Sequence, residues 1–569
     1  MHRALTIPEI LRYICEYAED DTLATMARCA RFLHDPAISV LWSVLPDLGP
    51  LVMCFPEDAW TLVSDHNLHV TRPLTRGDWT RVLKYLPYVR QLGNGFSVLG
   101  YAIGYEAWEA ICTFRPTVIL FPNLRTLYWY PLQLINRHIP HLLAMVGERL
   151  TKFDIGWVQY REDTNALLQA TFHIVVERFP HLRHFYIGSP CATATWPNDE
   201  TIKSLSSLAR NLSSLSSFRS TEVPITQGAL YRLARSKTLT SLSVCLPSYA
   251  TWAQVHVSLQ GERPFENLTS LDLVTTTEAY IAFSAAMKLP QVQTLSLCLS
   301  DPSHPNDFAT FFTAIRHQFS PAALRNIQIL HTQSVDSLTW AWQSQIPPVI
   351  HSAYLVPLLG FKHLRSFDLR LRSRYALDIH FYHNMAKSWP DIEELFVAYE
   401  RGCWHDVVPT IQFLVTFAVH SPKLRHLGLC FDASMWSHPP ELLAGYEHGM
   451  GAGARDELFG ELANKPSTSQ LDTLTVGYSN ILQPSYVAAF LSRVFPSLSS
   501  VETYPSDHFA QYAWSAEWSS VNELLPLFQR SQEDGQRRLS QDTHKRAKKV
   551  APSDSGQSPA STPSAAEQD

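Results

Sequence analysis

One short pattern, L-x-x-L-x-L often entered through Phe-Pro or Trp-Pro, returns along most of this chain and limits what it can fold into. It stands as FPNLRTLYW at Phe121, LTKFDI at Leu150, FPHLRHFYI at Phe179, LSSLSSF at Leu212 and LTSLSV at Leu239. It continues as FENLTSLDL at Phe265, LPQVQTLSL at Leu289, LRNIQIL at Leu324, FKHLRSFDL at Phe361 and WPDIEELFV at Trp389. SPKLRHLGL at Ser421, LDTLTV at Leu471 and FPSLSSVET at Phe495 complete thirteen copies. Their first leucine-type positions run from Leu124 to Leu498 with a mean step of about 31 residues. The L-x-L tail alternates as a short strand does, leucines to one side and the intervening residues to the other. Between copies lie helical patterns: Leu167, Leu168, Phe172, Val175 and Val176 within 166–179, and Phe413, Leu414 and Phe417 within 411–419. One strand and one helix cannot bury their own apolar faces, so such units must stack. The expected fold class is therefore α/β, an irregular solenoid with a curved parallel sheet inside and helices outside. Thirteen strands at about 4.8 Å each make a concave face on the order of 60 Å along its arc.

Ahead of the repeats, Leu5 to Leu48 reads as three helices. Thr6 and Glu9 form a capping-box pair, Leu5 and Ile10 a hydrophobic staple, and Pro8 falls in the first turn. A second helix after Asp21 carries Leu23, Met26 and Ala27; Asp35-Pro36 signals the start of a third, bearing Ala37, Val40, Leu41 and Trp42. So small a module encloses little core and needs a neighbour or a partner to cover its apolar surface. Its spacing alone leaves an end-cap on the repeats and a docking surface equally open.

The segment Ile7-Pro8-Glu9-Ile10-Leu11, then Ile14, Asp21, Leu23, Ala27, Cys29, Phe32 and the closing Leu41-Trp42, resembles an F-box. IPEIL near the start with DPAISVLWSVLPDLGPL after it is similar to the F-box proteins expanded in basidiomycete fungi. The resemblance covers less than a tenth of the chain and departs from the broader pattern at Ile7, where Leu is usual, and at Phe32-Leu33, where Trp is customary. It implies docking on the Skp adaptor of SCF-type cullin–RING ubiquitin ligases, with the repeats capturing a target protein and no bond-making residue supplied by this chain. Ile7, Pro8, Ile10, Leu11, Ile14, Leu23, Ala27, Phe32 and Trp42 are then expected at the adaptor contact or in the module's own core, two roles the spacing does not separate. The repeats themselves resemble degenerate leucine-rich repeats, with the Asn or Cys expected after L-x-L mostly missing. The alternative is a leucine-rich-repeat scaffold with a helical N-terminal cap and no ligase link.

The expected division is 1–48 helical module, 49–85 helical connector, 86–528 repeats with a loop insertion at 435–470, and 529–569 a disordered Ser/Gln-rich tail. Outward positions on the expected strands, Tyr128, Tyr130, Tyr186, Asp272, Ser296, Asp368, Arg370, Phe396, Gly428 and Cys430, are the candidate target-binding residues, because exposed aromatics are typical interface anchors.

Other function classes find little support. A net charge of −6 argues against a general nucleic-acid binder. No run of eighteen apolar residues appears, and Thr410 to Val419 is too short to span a bilayer. The nine cysteines never form C-x-x-C, which points to a reducing compartment, cytoplasmic and/or nuclear. The run His544-Lys545-Arg546-Ala547-Lys548-Lys549 is a candidate import signal. Gly449, Gly451 and Gly453 lack the Lys-Ser/Thr of a phosphate loop, and the pairs His138/His141 and His380/His383 lack a third ligand. Trp404-His405-Asp406 has no nucleophile to serve. No catalytic residue, cofactor or metal is expected.

Overall fold

The computed structural model describes residues 7–64, 67–93, 102–103, 105–129, 139–156, 162–188, 197–246, 263–300, 307–331, 348–398, 404–405, 408–434, 469–503 and 514–550. The chain forms two compact units, Met1–Val407 and Val408–Asp569. The expected insertion lies outside the described residues except at Ser469 and Gln470.

Each of the thirteen L-x-x-L-x-L copies ends in a strand. Ten lie in the first unit, from Thr126–Trp129 to Glu394–Val397, and pair in parallel in chain order. One register line, Leu127, Phe153, Phe185, Phe218, Leu242, Leu271, Leu295, Ile327, Phe367 and Leu395, joins neighbours all along this sheet. All of these side chains are buried. The helices pack on this face: Phe172 of Glu162–Arg178 meets Phe185 edge-on at 6.2 Å, and Trp389, after Ile379–Ser388, lies 4.9 Å from Phe367. Side chains of Asn198, Thr276 and Asp378 cap the helices behind them by accepting from Thr201, Ala279 and Phe381 N–H.

The Phe-Pro entry also has a physical account. The Phe179 carbonyl accepts from Leu182 N–H at 3.0 Å, closing a four-residue turn with Pro180 at its second position. The same bond recurs from Leu268 to Phe265, Leu364 to Phe361, Ile392 to Trp389 and Leu498 to Phe495. The aromatic opening each turn is buried, so the turn both reverses the chain and fills the core.

Two strands extend the sheet beyond the pattern. Val44–Leu45 pairs in parallel with Gln91–Leu92, which pairs with Thr126–Trp129. The sheet thus begins at Val44, inside the stretch assigned to the helical module, and not at residue 86. The expected helical connector is also corrected. Besides helices Gly49–Val52 and Trp79–Tyr85 it holds an antiparallel pair, Trp60–Ser64 with Asn67–Val70, rich in β-formers.

Arg72 ties this pair to the helix behind it. Its guanidinium donates to Asp58 at 2.8 Å and to Asp78 at 2.8 Å, and the buried Asp78 also accepts from Thr75 N–H at 2.7 Å. Hydrogen bonds from Arg72, then from Thr75 N–H, hold the Asp78 carboxyl well below the usual carboxylate range. A carboxyl depressed in the folded state stabilises above its unfolded pKa of about 3.9 and loses that contribution as pH falls. Asp78→Asn is expected to lower the thermal midpoint at pH 7, with the gap to native closing below about pH 4; scans across pH check this.

In the second unit His426–Leu429, Thr473–Gly477 and Ser500–Thr503 are parallel neighbours, backed by Pro484–Val494. The expected disordered tail is corrected here. A helix runs from Ser515 to Val550, so 529–550 is helical. Its Asn522 amide donates to Val501 O at 2.6 Å and accepts from Val501 N at 2.7 Å, pairing with the edge strand as another strand would. Gln529 and Gln532 follow, donating to Leu498 O and Ser492 Oγ. Of the residues expected in the disordered tail, Gln529 and Gln532 thus bond to the turn ahead of the last strand and to the helix Pro484–Val494.

Candidate functional site

Two surfaces in the first unit carry the residues singled out above. The first is the helical module, built from Pro8–Cys15, Asp20–Cys29 and Arg31–Leu41. The first helix is capped at Ile7 with no side-chain bond, so the cap is one residue later than expected; Leu5 and Thr6 lie outside the described residues. The third helix starts at Arg31, five residues before Pro36, which sits inside it.

The core of this module is Cys15, Leu23 and Ala37, with Ala18, Met26, Ala27, Val40 and Leu41 packed partly against it. Burial pushes the Cys15 thiol upward. The expected contact residues consequently separate. Leu11 and Leu23 are buried, and Ala27 is half-buried. Trp42 stacks on Tyr85 at 4.3 Å and 7°, fixing the module to the helix Trp79–Tyr85. Ile7 (44%), Ile10 (38%), Ile14 (43%) and Phe32 (46%) stay exposed, as does Pro8. Tyr13 and Tyr17, absent from the expected contact, prolong the stripe; their rings meet edge-on at 5.2 Å and their hydroxyls are 2.8 Å apart. Ile10 and Ile14, four apart, share one side of this helix, with Ile7 at its N-cap and Tyr17 just past its end also exposed.

The second surface is the sheet face away from the helices. Register places Tyr128, Asp154, Tyr186, Arg219, Ser243, Asp272, Ser296, Gln328, Asp368 and Phe396 side by side on ten consecutive strands. Tyr128, Tyr186, Asp272, Ser296, Asp368 and Phe396, expected separately from alternation, thus form one line. Tyr130 lies outside the described residues. Lys152, which alternation did not single out, has its ammonium 4.7 Å from the Tyr128 ring centre and 5.3 Å from that of Tyr186, and donates to Tyr128 Oη at 2.8 Å. Further along, Ser243 Oγ donates to Asp272 at 2.6 Å, and Arg370 and Gln328 both donate to the buried Asp368. Asp368 is therefore internally satisfied, while the tyrosine end presents rings and a cation to solvent.

In the second unit Gly428 and Cys430 are buried, and burial pushes the Cys430 thiol up to about 11. Neither is a surface residue there, because the strand His426–Leu429 turns into a packed segment ending at Phe431.

No group of three potential metal-ligating side chains occurs among the described residues. His141 and His380/His383 lie on helices; His138, Asp406 and the Gly449–Gly453 segment lie outside the described residues. No described helix is long and apolar enough to cross a membrane.

The fold and these surfaces define a repeat protein of the leucine-rich type with an added N-terminal helical module. No family model matches the chain, and no curated protein matches it. Among solved structures it is similar to the Rad7 and Elc1 complex in yeast, at 13% identity and a TM-score of 0.33, covering 62% of this chain and 78% of that one. It is also similar to an internalin from Listeria monocytogenes, at 12% identity and a TM-score of 0.30, covering 75% and 89%.

Proposed function

We propose that this chain is a non-catalytic receptor subunit. Its helical module docks a Skp-type adaptor of an SCF-type cullin–RING ubiquitin ligase, and the outward face of its sheet holds a target protein. The supporting observation is the solvent-facing stripe Ile7, Ile10, Ile14 on a module whose own core is only a few side chains. Each of these isoleucines keeps about two fifths of its surface in water, so covering the remainder is worth about 1 kcal/mol apiece. The chain's contribution to ubiquitin transfer is proximity, raising the effective concentration of a captured target near the transferring enzyme.

A second reading, a cap on a repeat scaffold, is favoured by the Trp42–Tyr85 stack and by the strand Val44–Leu45 that follows the third helix directly into the sheet. These contacts use one side of the module, and the isoleucine stripe is left over. Co-expression with a Skp-type adaptor tests the choice. A stable equimolar complex is expected; two proteins eluting apart at micromolar concentration exclude the docking role.

A further inference from the structure

A third surface lies at the entry edge of the sheet in the first unit. The residue just ahead of each strand there forms its own ladder, Arg90, Arg125, Thr151 and Arg183. Arg125 N donates to Arg90 O at 2.7 Å, Thr151 N to Arg125 O at 2.8 Å, and Arg183 N to Thr151 O at 2.8 Å. Adjacent rungs of such a ladder are about 4.8 Å apart. Arg149 enters from the turn before Lys152, with its guanidinium on Asn123 Oδ1 at 2.9 Å, while that of Arg90 reaches the Asn123 carbonyl at 3.4 Å. Asn123 thus gathers two guanidinium groups, and is itself fixed by donating to Pro87 O at 2.8 Å.

Arg12, on the first helix, acts on Arg90 only through its charge. It points away from the flank bearing Ile10 and Ile14, and its partner there is Glu16 at 3.7 Å, both half-exposed. Among the described residues no carboxylate pairs with Arg90, Arg125 or Arg149. Further along the same ladder Arg365 does meet Glu393, at 4.0 Å. Burial, then the charges of Arg125, Arg12 and Arg149, lower the proton affinity of the half-buried Arg90. Converging like charges without a counter-charge are unfavourable, and planar guanidinium forks match the oxygens of a phosphoryl group.

We propose that Arg90, Arg125 and Arg149 form a receptor for a phosphoryl dianion, either free in solution or carried on a phosphorylated side chain. Such an anion sits at the sheet edge, away from the helical module's apolar stripe. It occupies a different flank from the isoleucine stripe, so it stands or falls independently of adaptor docking.

The test is calorimetric titration of the full chain at low ionic strength with pyrophosphate, with a phosphoserine peptide, and with the same peptide unphosphorylated. Saturable binding of a phosphoryl probe is expected, weakening steeply with added salt. The tighter of the two phosphoryl probes identifies the source. The exposed pair Arg125→Gln/Arg149→Gln is expected to weaken binding at least tenfold with an unchanged thermal midpoint. No saturation with either phosphoryl probe, equal binding of the unphosphorylated peptide, or undiminished binding by the double variant overturns the proposal.

Discussion

Ile10→Asp with Ile14→Asp in the full chain abolishes co-purification with a Skp-type adaptor and moves the thermal midpoint by less than about 2 °C. Both side chains are exposed, so the substitution removes no core contact from the free chain. At a covered interface the same change loses the two fifths of each isoleucine that the free chain leaves in water, about 1 kcal/mol apiece, which together is upward of tenfold in affinity. Buried unpaired carboxylates add to that loss. Leu11→Ala separates docking from folding. Leu11 faces the module interior, and its truncation costs about 2–5 kcal/mol in a module with little core to spare. That variant is expected to loosen the module itself, seen as faster amide exchange in Asp20–Cys29 and Arg31–Leu41. Full adaptor binding by the double aspartate variant sinks the docking reading and leaves the scaffold with a helical cap.

The separation of Ile10 and Ile14 from Leu11 and Leu23 marks where the chain is legible and where it is not. All are large aliphatics at helical spacing, and only the packing of three short helices decides which side turns inward. The repeat strands are a different case. Alternation by two and the Phe-Pro turn are local signals, so every L-x-x-L-x-L copy leads into a strand, and six of the expected outward residues fall on one register line. Val44–Leu45 and Gln91–Leu92 escape because two residues carry no alternation. The C-terminal helix escapes for another reason. Gln529 and Gln532 are polar, and composition cannot tell polar groups that bond to a neighbouring turn and helix from polar groups that face water. Of the arginine ladder there is a trace: Arg125 and Arg183 each follow the turn leucine, in FPNLR and FPHLR. What the pattern omits is which of these arginines finds a carboxylate.

Trp518 anchors that C-terminal helix, and Trp518→Ala is the substitution with the largest expected cost in the second unit. The indole is almost fully buried, meets the Phe431 ring edge-on at 5.9 Å, and donates from Nε1 to Ser479 O at 3.0 Å. Ser479 in turn donates to Val476 O at 2.6 Å and accepts from Phe431 N at 2.9 Å, so one indole holds a turn of the sheet and the helix together. Removing it leaves a cavity and an unpaired buried carbonyl, about 4 kcal/mol in all. Trp518→Phe keeps most of the volume and loses the hydrogen bond, so about 1–2 kcal/mol is expected. The reporter is the Val501 amide, which donates to Asn522 one turn further along the same helix. Its hydrogen exchange is expected to accelerate by about a thousandfold in Trp518→Ala and about tenfold in Trp518→Phe. Loss of the helix also bares the strand Ser500–Thr503, so concentration-dependent association should accompany the alanine variant alone. Unchanged exchange at Val501 in Trp518→Ala contradicts the edge-covering role, because an amide paired only with water has no protection to lose.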